Sequence, residues 1–130
     1  MSQQNEFGLS AIGQVSVTVQ DLDRAVAFYR DQLGMPFLFQ VPNMAFFDCA
    51  GVRLMLTLPE GRSDDTHTSI LYYKVGDIQD AYRVLKDRDV QFVGRPHKIA
   101  DLADHVLWMA FFRDSETNLL ALMAEIPHQK

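Results

Sequence analysis

From Gln14 onward the chain alternates: Val15, Val17 and Val19 fall on one side and Gln14, Ser16 and Thr18 on the other, the period-two pattern of a strand with one buried face. The period then changes. Leu22, Ala25, Val26, Tyr29 and Leu33 recur at helical spacing, behind Asp21, whose carboxylate suits an N-cap, and ahead of Gly34, which suits the position past a helix end. The pattern predicts valines packed beneath the apolar stripe of the following helix, with Gln14, Ser16 and Thr18 left on the opposite face of the sheet. Three more strands follow, over Met35–Val41, Met44–Asp48 and Val52–Leu58, separated by turns at Pro42-Asn43 and Cys49–Gly51.

The second half repeats this plan. Val19 maps to Val75, Asp21 to Asp77, Leu22 to Ile78, Ala25 to Ala81 and Tyr29 to Leu85, all at a shift of 56 positions. Leu71, Tyr73 and Val75 alternate as the valines do, and Ile78, Ala81, Tyr82 and Leu85 form a second stripe behind the Asp77 cap. Ala45-Phe46-Phe47 returns as Ala110-Phe111-Phe112, and Leu54-Met55-Leu56 as Leu120-Ala121-Leu122, with Asp114–Asn118 as the hairpin turn between them. The segment Gly94–Asp104 is an insertion relative to the first half, expected to be a loop leading into a strand. The expected fold is α+β: two βαβββ modules, over 12–58 and 67–126, joined by the polar linker 59–66 in a single domain. They are expected to form a cupped mixed sheet with helices on its outer face and a cavity inside.

Composition narrows the function. With 48% hydrophobic and 22% charged residues the chain reads as globular, and at 130 residues it can bury a core. The longest apolar run, Val106–Phe112, is far too short to span a bilayer, and the polar opening MSQQNE does not have the form of a secretory signal, so no membrane partner and a cytoplasmic location are expected. A net charge of -5 without any Lys/Arg cluster argues against nucleic acid. The single cysteine, Cys49, cannot close an intrachain disulfide and has no histidine near it in sequence, so an incidental role is expected for it.

Alternation also selects the cavity residues. If Leu54, Leu56 and Leu58 lie under the helices, Arg53, Met55 and Thr57 face the cavity, as do Ile70, Tyr72 and Lys74 in the second module and Leu119, Ala121 and Met123 in the last strand. Arg53 and Lys74 suit an anionic group, although rim charges are as readily explained by solvation. Trp108 and the neighbouring aromatics would stack on a planar ligand, although aromatics in central strands ordinarily belong to the core. The insertion contributes His97, Asp101 and His105, candidates for acid/base chemistry or for relocated metal ligands at a spacing that matches no familiar metal motif. His67 and His128 are expected in solvent.

The stretches VSVTVQDLDRAVAFYRDQLGM, GVRLML and FFRDSETNLLALMAE resemble the vicinal oxygen chelate superfamily of glyoxalase I, methylmalonyl-CoA epimerase, extradiol dioxygenases and bleomycin-resistance proteins, over roughly Gly13 to Glu125. In the metal-using members four cavity side chains bind the ion: His or Gln, Glu, His and Glu. Carried onto this sequence, those positions are Gln14, Met55, Ile70 and Ala121. Only Gln14 fits, so the resemblance implies the fold while the residues withdraw the metal and leave no expected cofactor. The site expected is a ligand cavity of Gln14, Ser16, Arg53, Met55, Ile70, Tyr72, Trp108 and Ala121 that takes a small, partly apolar molecule, an anionic one included. The resemblance also implies a homodimer. The rival is an enzyme, a lyase, isomerase or dioxygenase, either metal-free with His97 or His105 as base or using them in a shifted metal site. A cavity filled by its own side chains would instead mark a non-catalytic structural module.

Overall fold

The computed structural model describes residues 7, 10–59 and 70–128. The linker beyond Pro59, and His67 with it, lies outside the described residues. Strand β1 (Gln14–Thr18) leads into helix α1 (Leu22–Ala27), which continues as a π-helical turn over Phe28–Gln32, and then come β2 (Phe37–Val41), β3 (Met44–Cys49) and β4 (Val52–Thr57). The second module runs β5 (Leu71–Lys74), α2 (Ile78–Asp87), β6 (Gln91–Phe92), β7 (His97–Asp101), β8 (His105–Arg113) and β9 (Leu119–Pro127). The architecture is α+β, with two mixed sheets: β1-β4-β3-β2 in the first module, and β5-β9-β8-β6, with β7 also on β8, in the second.

Both modules follow one register. β1 runs parallel to β4 with Ser16 opposite Met55, and β5 runs parallel to β9 with Tyr72 opposite Ala121. Ser16 and Tyr72 are 56 positions apart, so the sequence repeat is a repeat of sheet geometry. The caps repeat too. Asp21 accepts a hydrogen bond from the Arg24 amide at 3.1 Å and Asp77 one from the Asp80 amide at 3.0 Å, each cap residue in extended backbone before the helix begins. Gly34 takes a positive φ of 74° and Gly51 one of 92°, which are conformations an L side chain resists.

Two elements differ from the sequence reading. The first helix widens at its end, where the Leu33 amide reaches back to the Phe28 carbonyl at 3.0 Å, five residues away. This turn brings adjacent Phe28 and Tyr29 both inward, buried at 5% and 0% exposure, where a regular stripe carries Tyr29 alone. The Gly94–Asp104 segment is no mere loop: β7 pairs along β8, so the counterpart of β2 is divided into β6 and β7, with Gly94-Arg95-Pro96 between them.

The valines and leucines of the helix-facing sides, with Phe47, Phe112 and the helix stripes, form one core shared by both modules. Its polar centre is Asp114. This buried carboxylate accepts the Tyr29 hydroxyl at 2.7 Å, the Glu116 and Asn118 amides at 2.8 and 2.9 Å, and the Asn118 side-chain amide at 3.0 Å. The β8–β9 turn is thereby held against the first helix, where Glu116 also binds Arg24 at 2.7 Å and the Gln20 amide at 2.8 Å. Burial, together with the Asp114 charge, pushes the Tyr29 hydroxyl well above its ordinary pKa of 10.0. An unfolded chain releases that proton above about pH 10 while the native chain keeps it, so stability is intact below about pH 10 and falls above it. Unfolding free energies measured across that range should decline in the native protein and decline less steeply in Tyr29→Phe.

Candidate functional site

The helices cover one face of each sheet, and strand alternation leaves the other face open. On the first sheet that face carries Gln14, Ser16 and Thr18 from β1, Arg53, Met55 and Thr57 from β4, and Met44, Phe46 and Asp48 from β3, as the cross-strand pairs Ser16–Met55 and Phe46–Met55 require. Phe39 of β2 stacks on Phe46, with ring centroids 4.6 Å apart, and the Arg53 guanidinium lies 5.9 Å from the Phe46 ring. A cation over an aromatic pair beside a thioether is a surface able to hold a planar, negatively charged molecule.

The open face of the second sheet has a similar make-up. Tyr72 sits edge-on to Phe111 at 6.2 Å, and Met109 lies opposite Met123. Ala121 pairs with both Tyr72 and Phe111 and is fully buried beneath them, whereas Ile70 and Tyr72 are 36% and 44% exposed. Lys74 is bound to Glu125 at 3.2 Å. Its charge is therefore engaged within the sheet, while Arg53 is exposed and, among the described residues, has the ring contact alone.

The sequence model of the Glyoxalase/Bleomycin resistance protein/Dioxygenase superfamily matches residues 11–122. The chain belongs to this superfamily. It is 27% identical over 123 residues to the uncharacterized protein YraH of Bacillus subtilis (strain 168), covering 84% of this chain and 94% of that one. It is also 27% identical over 99 residues to the metallothiol transferase FosB of Staphylococcus haemolyticus, covering 72% and 71% of the two chains. Among solved structures, a lactoylglutathione lyase from Agrobacterium tumefaciens superposes with a TM-score of 0.74 at 20% identity, over 90% of this chain and 95% of that one. A superfamily member from Sphaerobacter thermophilus gives 0.72 at 24% identity, over 90% and 98%. At these identities the structures speak for the fold.

The side chains at the four positions that the resemblance gives to a metal decide whether one fits. Gln14 offers one amide oxygen, Met55 a thioether, and Ile70 and Ala121 no donor atom at all, a set that does not fit a hard or borderline divalent ion. Among the described residues no three His, Cys, Asp or Glu side chains gather into a possible metal cluster. His97 and His105 both lie on the open side of the second sheet, but His97 is opposite Met109, four residues along β8 from His105, which separates their backbones by about 13 Å. They do not converge on one ion. The His97 Nδ1 is 3.1 Å from the Arg95 carbonyl, and the His105 Nδ1 is 2.7 Å from the Asp104 carboxylate with Glu125 at 4.0 Å from its other nitrogen.

Trp108 departs from the sequence reading. In β8 it has the parity of Ala110 and Phe112, so it packs against the helix-side core beside Gly76, Asp77 and Ile78 and away from the open face. His128 binds the Leu102 carbonyl at 2.8 Å and Asp101 at 3.2 Å, pinning the end of β9 to the β7–β8 turn. Cys49 is half-buried beside Asp48, and both burial and that neighbouring charge push its thiol up, away from the reactive thiolate. The sequence reading also missed Asp114 as a buried centre. Its only signal was an acidic residue at the start of a hairpin turn, the commonest place for a solvated one.

Proposed function

We propose that this chain is a metal-independent small-molecule-binding protein of its superfamily, working as a cytoplasmic homodimer on a partly apolar, anionic ligand. The observation that carries the reading is the make-up of the open faces. Of the six methionines in the sequence, Met44, Met55, Met109 and Met123 lie there, where flexible, polarizable side chains adapt to varied apolar shapes. Phe39 with Phe46 supplies a stacking platform, and Arg53, without an ion pair among the described residues, supplies the charge. Gln14, Ser16 and Tyr72 add neutral hydrogen-bonding groups, and the weak thioether at Met55 with no donor atom at Ile70 or Ala121 supports binding without a metal. Self-association is supported by β2, whose Phe37, Leu38, Phe39 and Val41 are 37–48% exposed along a sheet edge, a template that a second copy would cover.

A second reading keeps enzyme activity. The Asp104 carboxylate lies 2.7 Å from His105 and orients an imidazole on the open face, which suits a general base in a metal-free lyase or isomerase. The two readings part on His105→Asn, which abolishes turnover in the enzyme and leaves binding unchanged in the binder. Methyl resonances of 13C-labelled methionine provide the test of the open face itself, with 2-naphthoate as probe. Met55 and Met109 should shift saturably, Met35 on the helix side should not, and Arg53→Gln should weaken binding roughly tenfold. Unshifted Met55 and Met109 at millimolar probe would refute the open-face site.

A further inference from the structure

Each sheet has an inner and an outer edge. The inner ones, β1 and β5, come together at the junction of the modules, where Val15 of β1 and Leu71 and Tyr72 of β5 border one hollow. The outer edges are β2 in the first module and β6 with β7 in the second, and the two are built differently. The second is broken by Gly94-Arg95-Pro96 and carries His97, Lys98 and Asp101, the proline and charges that keep an exposed strand from pairing with another chain. β2 reads FLFQV, without a charge or a proline, and leaves Phe37, Leu38, Phe39 and Val41 open to solvent along a free edge.

The strand is regular over part of its length. Its register with β3 shifts between Phe37 and Phe39, and beyond that shift Phe39, Gln40 and Val41 pair in sequence with Phe46, Ala45 and Met44. Phe39 and Val41 therefore share the open side with the stacked ring of Phe46, while Gln40 turns to the helix side, where its amide lies 3.3 Å from Asp23. A chain with a net charge of -5 repels its own copy, and at this uncharged edge two copies meet without opposing like charges. An antiparallel pair about a two-fold axis is also self-complementary, since each strand offers the other the same groups.

We propose that two copies join β2 to β2 in antiparallel register about a two-fold axis at Gln40, and that the aromatic platform of the open face is completed across that axis. The axis stands perpendicular to the sheet, so both open faces lie on one side of a continuous sheet with four strands from each copy. Phe39 then faces Val41 of the partner subunit at about 5 Å, the spacing of directly opposed residues. The inference rests on the open-face reading and extends it: a flat anion lying on Phe39 and Phe46 beside Arg53 also touches the partner's Val41. Such a ligand binds the pair better than the single chain, and by linkage it strengthens the pairing in turn. The stretch from Phe39 to Val41 makes a small interface, so self-association without ligand is weak and concentration-dependent.

The test is sedimentation of the whole chain across a dilution series, with and without 2-naphthoate. Self-association should tighten roughly tenfold at saturating 2-naphthoate. Val41→Lys and Leu38→Lys, both at exposed positions, should each weaken it by about tenfold or more, whereas Val93→Lys, exposed on the other outer edge, should not. Methionine methyl spectra report whether each variant is folded. Oxidation of Gln40→Cys in a Cys49→Ser background should link two copies, because the residue on the axis lies opposite itself within disulfide reach. A dimer that ignores Val41→Lys and Leu38→Lys, or that Val93→Lys breaks, would overturn the proposal, as would a β2-dependent dimer indifferent to 2-naphthoate. A chain that stays monomeric up to millimolar concentration would overturn it too, leaving the edge to a strand of another protein. Saturable Met55 shifts in that monomer would keep the open-face reading while the shared platform fails, which separates the two.

Discussion

Replacing Asp114 by alanine should lower the unfolding free energy by about 3–5 kcal/mol, the loss expected when one buried acceptor leaves several donors unpaired at once. The donors are the Tyr29 hydroxyl, the amides of Glu116 and Asn118, and the Asn118 side chain, all within 3.0 Å of the carboxylate. Because Tyr29 belongs to the first module and Asp114 to the second, the substitution also loosens the junction between them. Tyr29→Phe, which removes one of these donors and leaves the ring packed, should cost only about 1–2 kcal/mol. Arg24→Ala should cost the least of the three, since the Arg24 side chain is exposed where it meets Glu116. Denaturant midpoints rank the three variants, and an Asp114→Ala protein within about 1 kcal/mol of the native one would show that the turn docks by packing alone.

The second large effect separates the two faces of the sheets. Phe47 and Phe112 are buried at 0% and 1% exposure on the helix-facing sides, and truncating either to alanine should cost about 3–5 kcal/mol. Ser16, exposed on the open face, should cost under about 1 kcal/mol when changed to alanine. Comparable losses at Phe47 and Ser16 would mean that the open face is itself packed core, and the proposed ligand surface would be lost with it. The contrast holds because one face of each strand is covered by helices and the other is not.

Those faces were legible in the chain because a strand's period of two admits only two answers, and Val17, Val19, Leu54 and Leu56 all gave the same one. The repeat then transferred the answer to Tyr72 and Ala121, whose pairing reproduces that of Ser16 and Met55. Trp108 was legible in principle. Ala110-Phe111-Phe112 repeats Ala45-Phe46-Phe47, and a residue two before Ala110 shares its face, but the proximity of the histidine-bearing insertion suggested the cavity. The π-helical turn at Phe28–Gln32 and the four-donor shell of Asp114 were not legible. One extra residue in a helical turn leaves no mark in an apolar stripe that tolerates two adjacent aromatics, and the partners of Asp114 include Tyr29, 85 residues away. Strand β7 was hidden because Pro96 precedes it and its residues HKIAD are mostly exposed, as suits the edge of a sheet.

We propose that the superfamily fold here works without a metal at the positions of Gln14, Met55, Ile70 and Ala121. Catalytic divalent ions are generally held by about three protein ligands, and among these four side chains only the Gln14 amide oxygen is a suitable donor. The direct measurement is elemental analysis of the dialysed protein followed by calorimetric titration with zinc, nickel, manganese and iron(II). Substoichiometric metal after dialysis and no saturable binding at micromolar concentrations are the expected result. Near-stoichiometric binding at micromolar metal would contradict it, and loss of that binding in His97→Ala or His105→Ala would make a shifted-site enzyme the better description.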